Sequence, residues 1–121
     1  MATSDEILEA YADWCRRSND NPRLQKMLKG WDRVIHFTTT DTDTEQGFTM
    51  RVENQRLSEL EAGQTAQPDV IVAGTSEDLC DMFWGDLNPS EKYMAGEITL
   101  AGSQADVMRI DAISMVAFLD Q

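Results

Sequence analysis

The sequence contains few of the residue types from which metal sites and catalytic centres are usually built. Its 121 residues include two cysteines, one histidine and three prolines. Cys15 and Cys80 fall on predicted helices beside apolar neighbours, and their positions match neither a CxxC pair nor a metal-ligand spacing. Buried thiols are therefore the expected role for both, and we expect neither a metal ion nor a cofactor.

Basic residues are also scarce. The chain has 10 Lys and Arg against 22 Asp and Glu, which gives a formal net charge of -12. A field of this sign repels phosphate groups. The composition therefore argues against nucleic acid as a partner and predicts that anionic membrane surfaces are poor partners.

Long apolar runs are missing as well. No run approaches the roughly 20 residues of a membrane span, so we expect no stable membrane insertion. The N-terminal stretch "MATSDEILEAYADW" lacks the basic and then apolar order of a signal peptide, which predicts a cytoplasmic location. A chain of this length has room for one core, so we expect a single domain over residues 1–121.

Two helices are predicted at the N-terminus. Ser4 is a plausible N-cap for the first, which ends near Ser18. In the second, Asn21 is the cap, Pro22 takes the first helical position and Gly30 ends the helix. The first helix has apolar residues at helical spacing, namely Ile7, Leu8, Tyr11, Trp14 and Cys15.

From Trp31 the apolar period changes to two, which indicates strands. "WDRVIHFTTT" and "FTMRVEN" form a predicted hairpin with one wet face, and "DTDTEQG" is its turn. A third strand is predicted over "RLSELEAG", and a fourth over "DVIVAG", which is apolar on both sides and therefore internal. "EITLAG" is the fifth. The first four of these strands predict an antiparallel sheet.

Helix-start signals recur in the second half of the chain. Thr75 or Ser76 caps a helix that ends at Gly85, and Asn88 caps a short helix whose first residue is Pro89. Ser103 with Asp106 starts the final helix. Its apolar set is broader than one narrow stripe: Val107, Met108, Ile110, Ile113, Met115, Val116, Phe118 and Leu119.

The sequence gives little evidence for a catalytic site or a calcium site. Asp41, Asp43, Glu45 and Gly47 do not have the spacing of a calcium loop, so a solvated hairpin tip is predicted. His36 lies on the strand face opposite the apolar residues, which favours a surface or second-face histidine over a general base. There is no nucleophile elbow and no HExxH motif. The sequence therefore predicts a protein that is not an enzyme.

Methionine is the suggestive residue type. Six occur besides Met1. Met50, Met82, Met94, Met108 and Met115 all fall on faces predicted to point inward. Methionine fills irregular space and repacks at low cost, which suits a cavity for flexible apolar ligands. The alternative is that these side chains only fill the core.

The stretch "PDVIVAGTSEDLCDMFWGDLNPSEKYMAGEITLAG" resembles the sterol carrier protein type two domain, with weaker likeness from about Trp31 to Leu119. The resemblance implies an α/β fold of the α+β type, with a five-stranded, mainly antiparallel sheet and helices packed on one face. It also implies an apolar tunnel between sheet and helices that takes fatty acids, acyl-CoA esters or sterols. Glu97 stands where the family often has lysine, and with the acidic composition this favours fatty acids and neutral lipids over acyl-CoA.

The function implied is non-enzymatic binding and transfer of fatty acids or sterol- or isoprenoid-like lipids. One alternative is an accessory module that delivers apolar substrate to a partner enzyme. Another is a small cone-shaped isomerase or hydrolase of the nuclear transport factor two-like type, for which Asp32 lies on the wrong face. The residues predicted to line the tunnel are Ile35, Phe37, Phe48, Met50, Met82, Phe83, Met94, Met108, Ile113 and Met115.

Overall fold

A computed structural model of the chain describes residues 1–42 and 47–120. Over these residues, two helices are followed by five strands, then by two more helices, a sixth strand and a fifth helix. The helices are α1 Ser4–Asn19, α2 Pro22–Met27, α3 Ser76–Trp84, α4 Pro89–Ala95 and α5 Gln104–Leu119. The strands are β1 Arg33–Thr39, β2 Phe48–Glu53, β3 Arg56–Leu57, β4 Glu61–Ala62, β5 Val70–Gly74 and β6 Thr99–Gly102.

The strands form one open sheet in the order β3-β2-β1-β5-β6, with β4 also paired to β2. Only the β1–β5 pairing is parallel among the pairings of the described strands. The predicted fold class is thus confirmed. The third predicted strand was wrong in one respect, because residues 58–60 are irregular and divide it into β3 and β4, which both pair with β2.

One face of the sheet is the floor of the core. Ile35 of β1 lies beside Met50 of β2 and Val70 of β5, and each of the three is at most 2% exposed. Phe37 and Phe48 pair one step further along. Burial of each such side chain contributes roughly 1.5–3 kcal/mol, so this strip of apolar pairs fixes the register of the sheet.

The opposite face of the sheet is only partly covered. His36 lies on this face and is 4% exposed, so the prediction of a second-face histidine is confirmed. Burial lowers the pKa of His36, which favours the neutral ring at neutral pH. Thr49 beside it donates to the carbonyl of Gly63, and the Thr65 amide donates to Thr49. Strand β5 lies between β1 and β6, so the prediction that it is internal to the sheet is confirmed, and its Ile71 is 38% exposed on this face.

Helix α1 packs against α3 and against the edge of the sheet. Its N-cap is Thr3 and not Ser4, because the Thr3 side chain accepts from the Glu6 amide while Glu6 accepts from the Thr3 amide. At the other end of α1, the Asn19 side chain accepts from the Leu57 amide at 2.8 Å and donates to the Leu57 carbonyl at 3.0 Å. An amide side chain thereby takes the place of a neighbouring strand at the edge formed by β3.

The remaining caps follow the predictions. Asn21, Thr75, Asn88 and Ser103 each accept from an amide in the first turn of the helix that follows. Helix α2 is shorter than predicted and ends at Met27, before Gly30. Turns occupy residues 28–30, in which the positive φ of Gly30 favours glycine.

The predicted calcium-like loop falls largely outside the described residues, since Asp43 and Glu45 lie between 42 and 47. Asp41 is described, and its carboxylate accepts from both the amide and the hydroxyl of Ser76. The hydrogen bond from the Ser76 amide is the largest cause that lowers the pKa of Asp41. This carboxylate therefore ties the end of β1 to the start of α3.

The start of α5 is tied to the start of β1 by one carboxylate. Asp106 accepts from the indole nitrogen of Trp31 at 2.9 Å and from Nε of Arg33 at 3.0 Å. The guanidinium groups of Arg33 and Arg109 lie 5.6 and 5.7 Å from the Trp31 ring centre. Burial alone raises the pKa of Asp106, but the hydrogen bonds from Trp31 and Arg33 outweigh it and lower that pKa.

The contribution of the Asn88 cap to stability can be tested by substitution. Asn88 accepts from the amides of Ser90 and Glu91 at 3.0 and 3.4 Å. Replacing Asn88 with Ala should lower the free energy of unfolding by about 1 kcal/mol in urea denaturation, whereas Asn88→Asp should keep most of it. Equal loss in the two variants would show that the side chain does not act as a cap.

The Asp106 cluster predicts a pH-dependent stability difference. Asp106→Asn should lower the free energy of unfolding by about 2 kcal/mol at pH 7, because Arg33 loses its charged partner. Since the native pKa of Asp106 is lowered, the carboxylate stabilises the fold above its unfolded pKa of about 4, and this contribution is lost as pH falls through the native pKa. Urea denaturation of both proteins should therefore show the difference shrinking below about pH 4. A difference that does not depend on pH would contradict the assignment.

Candidate functional site

A closed apolar chamber lies between the helix-facing side of the sheet and the helices. Its cavity volume is about 20 Å³, room for about one water molecule, whereas pockets for small ligands measure roughly 300–1,000 Å³. Four strands, β1, β2, β3 and β5, and four helices, α1, α3, α4 and α5, contribute to its lining. The residues that line it are Trp14, Trp31, Phe37, Met50, Val52, Leu57, Val72, Met82, Tyr93, Ile110 and Ile113.

Seven of the ten residues predicted for the tunnel belong to this region. Phe37, Met50, Met82 and Ile113 line the chamber itself. Ile35, Phe48 and Phe83 are buried in the core. The ring of Phe83 meets that of Phe37 edge to face, with their centres 5.2 Å apart.

The other three predicted residues do not point into the chamber. Met94 is 90% exposed and Met108 is 64% exposed, so the prediction that they face inward was wrong. Met115 is half-buried and lies two helical turns after Met108, on the same side of α5. Met108 was placed wrongly because apolar residues occur on opposite sides of α5, and the helical period does not show which of these sides faces the sheet.

Seven residues of the lining were not in the predicted set. The sequence pattern could have identified most of them, because Trp14, Trp31, Val52 and Ile110 lie at apolar positions of the predicted helices and strands. No sequence pattern pointed to Tyr93, since it is a polar aromatic residue in the short helix α4. The full group is Trp14, Trp31, Val52, Leu57, Val72, Tyr93 and Ile110.

The chamber lining has no charged side chain. Tyr93 brings a hydroxyl, which lies 2.9 Å from the hydroxyl of Ser114. Because Ser114 donates to the Ile110 carbonyl at 2.8 Å, Tyr93 is the donor to Ser114. Burial raises the pKa of Tyr93 to about 12, so the phenol is neutral at physiological pH. A charge placed among these residues would lose its hydration without gaining a counter-ion.

Polar contacts near the surface hold α4 and α5 in place. Ser90 of α4 donates to Asp111 of α5 at 2.7 Å. Asp120, just after α5, accepts from Arg23 at 2.8 Å and from Asn21 at 3.1 Å. Such half-exposed contacts exchange readily with water, so they oppose the movement of α5 less than apolar packing does.

A second concavity lies outside the core, between α1 and the β3–β4 segment. It has a volume of about 440 Å³ and an apolar floor that includes Leu8, Tyr11 and Leu60. Cys15 lies in it, and burial raises the pKa of this thiol, which keeps it protonated. Arg16, Arg56, Asp20 and Glu59 give its rim both signs of charge. The groove therefore lacks an activated nucleophile and a single-sign binding surface.

Within residues 1–42 and 47–120, no group of His, Cys, Asp and Glu side chains is arranged to hold a metal ion. Over the same residues, the helices are too short or too polar to cross a membrane. His36 lies on the opposite side of the sheet from the chamber lining. Among the described residues, the lining of the chamber is thus apolar and contains no catalytic arrangement of charged groups.

Solved structures of similar fold share this arrangement of sheet and helices. The sterol carrier protein domain 2 of Helicoverpa armigera has a TM-score of 0.74 and 14% identity, with 97% of this chain and 93% of that one covered. A sterol carrier protein 2 crystal structure has a TM-score of 0.64 and 14% identity, with 91% and 94% covered. The ubiquinone synthesis protein UbiJ-SCP2 has a TM-score of 0.68 and 10% identity, with 92% and 94% covered.

At these identities the structural likeness shows the fold alone. No curated protein sequence matches the chain. The sequence model of the SCP-2 sterol transfer family, however, matches residues 12–114, most of the chain and all of the segments that line the chamber. The chain therefore belongs to the SCP-2 sterol transfer family.

Proposed function

We propose that this protein binds and transfers apolar lipids, with the lipid held between the sheet and the helices. The observation that supports this most directly is the closed chamber, whose lining is apolar and carries no charged side chain. Each lipid methylene moved from water into such surroundings contributes roughly 0.8 kcal/mol. A chain of ordinary length therefore binds strongly without any polar contact.

Loading requires the chamber to expand from about 20 Å³ to several hundred. The sheet and the α1–α3 pair are held by strand pairing and by aromatic packing of Tyr11 and Trp14 against Phe83. The α4–α5 pair is held in part by hydroxyl and carboxylate contacts. We infer that these two helices move outward to admit lipid, while the rest of the wall stays in place.

The chemistry of the lining also favours certain ligands. A CoA group carries several negative charges and needs basic partners, whereas the lining of the chamber has none. Sterol- or isoprenoid-like molecules place only an apolar body and a neutral polar tip inside. Fatty acids fit if the carboxylate stays at the chamber mouth in water. The proposal assigns no catalytic role to the chain.

The neighbour UbiJ-SCP2 favours a second, related function. That protein is described as a ubiquinone synthesis protein. A small lipid-binding domain can present an apolar substrate to an enzyme, and on that model this chain would hold a quinone-like or other isoprenoid intermediate for a partner. Affinity purification of the tagged protein, followed by identification of bound proteins and extracted lipids, separates the two functions. A stoichiometric enzyme partner favours the accessory role, and lipid without such a partner favours the carrier.

Lipid binding is the first test of the proposal. A fluorescent fatty acid analogue should bind at one saturable site with micromolar or tighter affinity, because burial of its chain dominates the free energy. Unlabelled fatty acids, sterols or isoprenoid alcohols should displace it in a fluorescence titration. If no saturable binding occurs with any of these lipid classes, the carrier function is wrong.

Filling the chamber is the second test. Ile113→Phe adds volume to the lining, so it should weaken binding of a long-chain lipid by about tenfold while costing roughly 1–3 kcal/mol of stability. Met94→Phe changes a side chain that is 90% exposed on α4, and it should leave both quantities unchanged. Fluorescence titration and urea denaturation measure the two. Normal lipid binding by a folded Ile113→Phe variant would show that lipid binds elsewhere.

A further inference from the structure

Helix α5 carries a second apolar stripe on the side away from the chamber. The inner side contributes Ile110, Ile113 and Ala117, which are all buried. The outer side follows the helical spacing i, i+3, i+7, i+10 and i+14, which places its members on one face. We call these residues the outer stripe: Ala105, Met108, Ala112, Met115 and Leu119. Within it Met108 and Leu119 are 64% and 66% exposed.

The outer stripe continues onto α2. Met27 joins Ala105, Met108, Arg109 and Ala112 around an open concavity of about 570 Å³. Arg109 donates to the Met27 carbonyl and so ties the two helices together. The result is an apolar surface formed by two elements, of a kind that soluble proteins usually keep for a binding partner or a membrane.

Arg109 lines this surface, and two lysines lie close to its Met27 in the sequence, in a protein that is otherwise strongly acidic. Residues 21–40 contain four Lys and Arg and one acidic residue, whereas the remainder contains six basic and 21 acidic residues. Lys26 and Lys29 flank Met27 in the chain and are exposed. In the described part of the chain, neither forms an ion pair. With Arg109 they form what we call the basic rim.

We propose that the outer stripe and the basic rim dock the protein on the surface of a membrane that contains anionic lipids. Methionine and leucine side chains on the stripe enter the headgroup region, while the rim contacts lipid phosphates and carboxylates. The overall charge of -12 predicts repulsion from such a surface. At physiological ionic strength, however, the Debye length is about 8 Å, so acids on the far side are screened more than the rim in contact.

The position of α5 connects this docking to the proposed lipid transfer. The same helix has Ile110 and Ile113 on the chamber and Met108 on the outer stripe. A membrane that binds the outer stripe therefore lies against the wall that must move for lipid to enter or leave. Docking itself does not depend on the chamber being loaded, so it goes beyond the proposed function and is tested separately.

The test of the rim uses vesicles of phosphatidylcholine with about one third phosphatidylserine, and co-sedimentation of the purified protein. Each basic residue near an anionic surface strengthens binding by roughly fivefold, so Lys26→Gln with Lys29→Gln should weaken it by about 25-fold. The matched control is Arg16→Gln with Arg51→Gln, which removes the same charge from α1 and β2. This control should bind nearly as well as the original protein.

The test of the stripe compares two exposed methionines. Met108→Ser should weaken vesicle binding by about tenfold, because an inserting side chain is lost. Met94→Ser removes a methionine that is 90% exposed on α4, outside the stripe, and should have little effect. All variants should keep their affinity for the fluorescent fatty acid analogue, which distinguishes failure of docking from failure of the lipid site.

Three results would overturn the docking proposal. The first is no binding of the original protein to anionic vesicles at low salt. The second is equal weakening in the lysine pair and the arginine pair, which would indicate only a general charge effect. The third is a stable dimer in light scattering that Met108→Ser dissociates, because the stripe would then be an interface between two copies.

Discussion

Closure of the chamber depends on the carboxylate of Asp106. It accepts hydrogen bonds from the Trp31 indole and the Arg33 guanidinium, and thereby holds the first turn of α5 against the first residues of β1. Trp31 is itself part of the chamber lining. Removing this side chain would leave a buried indole and a guanidinium without their acceptor, next to the apolar wall. The first turn of α5 is thereby anchored to the start of β1.

Helix α5 combines two requirements that usually belong to different helices. A helix that is apolar on opposite sides is normally surrounded by protein. Here the inner side packs over the sheet, and the outer side meets solvent at Met108 and Leu119. The polar residues between the two sides, Asp111 and Ser114, bond to Ser90 and Tyr93 of α4. These bonds fix the rotation of the helix, and hence which stripe faces the lipid and which faces outward.

The sequence predicts local structure here better than it predicts the walls of the chamber. The caps at Asn21, Asn88 and Ser103 were found because a cap depends on a side chain and the next three amides. Met94 and Met108 were misplaced because helical period reveals an apolar face without showing what it packs against. Tyr93 was missed because its partner Ser114 is remote in sequence. The small volume of the chamber could not be predicted either, because it results from packing among all the elements that line it.

The Asn19 side chain that completes the sheet edge also determines which part of the molecule can deform. Moving α1 away would strip both hydrogen bonds from the Leu57 peptide, and the Tyr11 hydroxyl would lose the Ser58 carbonyl. Helix and sheet on this side consequently behave as one rigid frame. On the opposite side, serine, tyrosine and carboxylate contacts join α4 and α5. In the proposed loading movement, this frame would confine the opening to the α4–α5 side of the molecule.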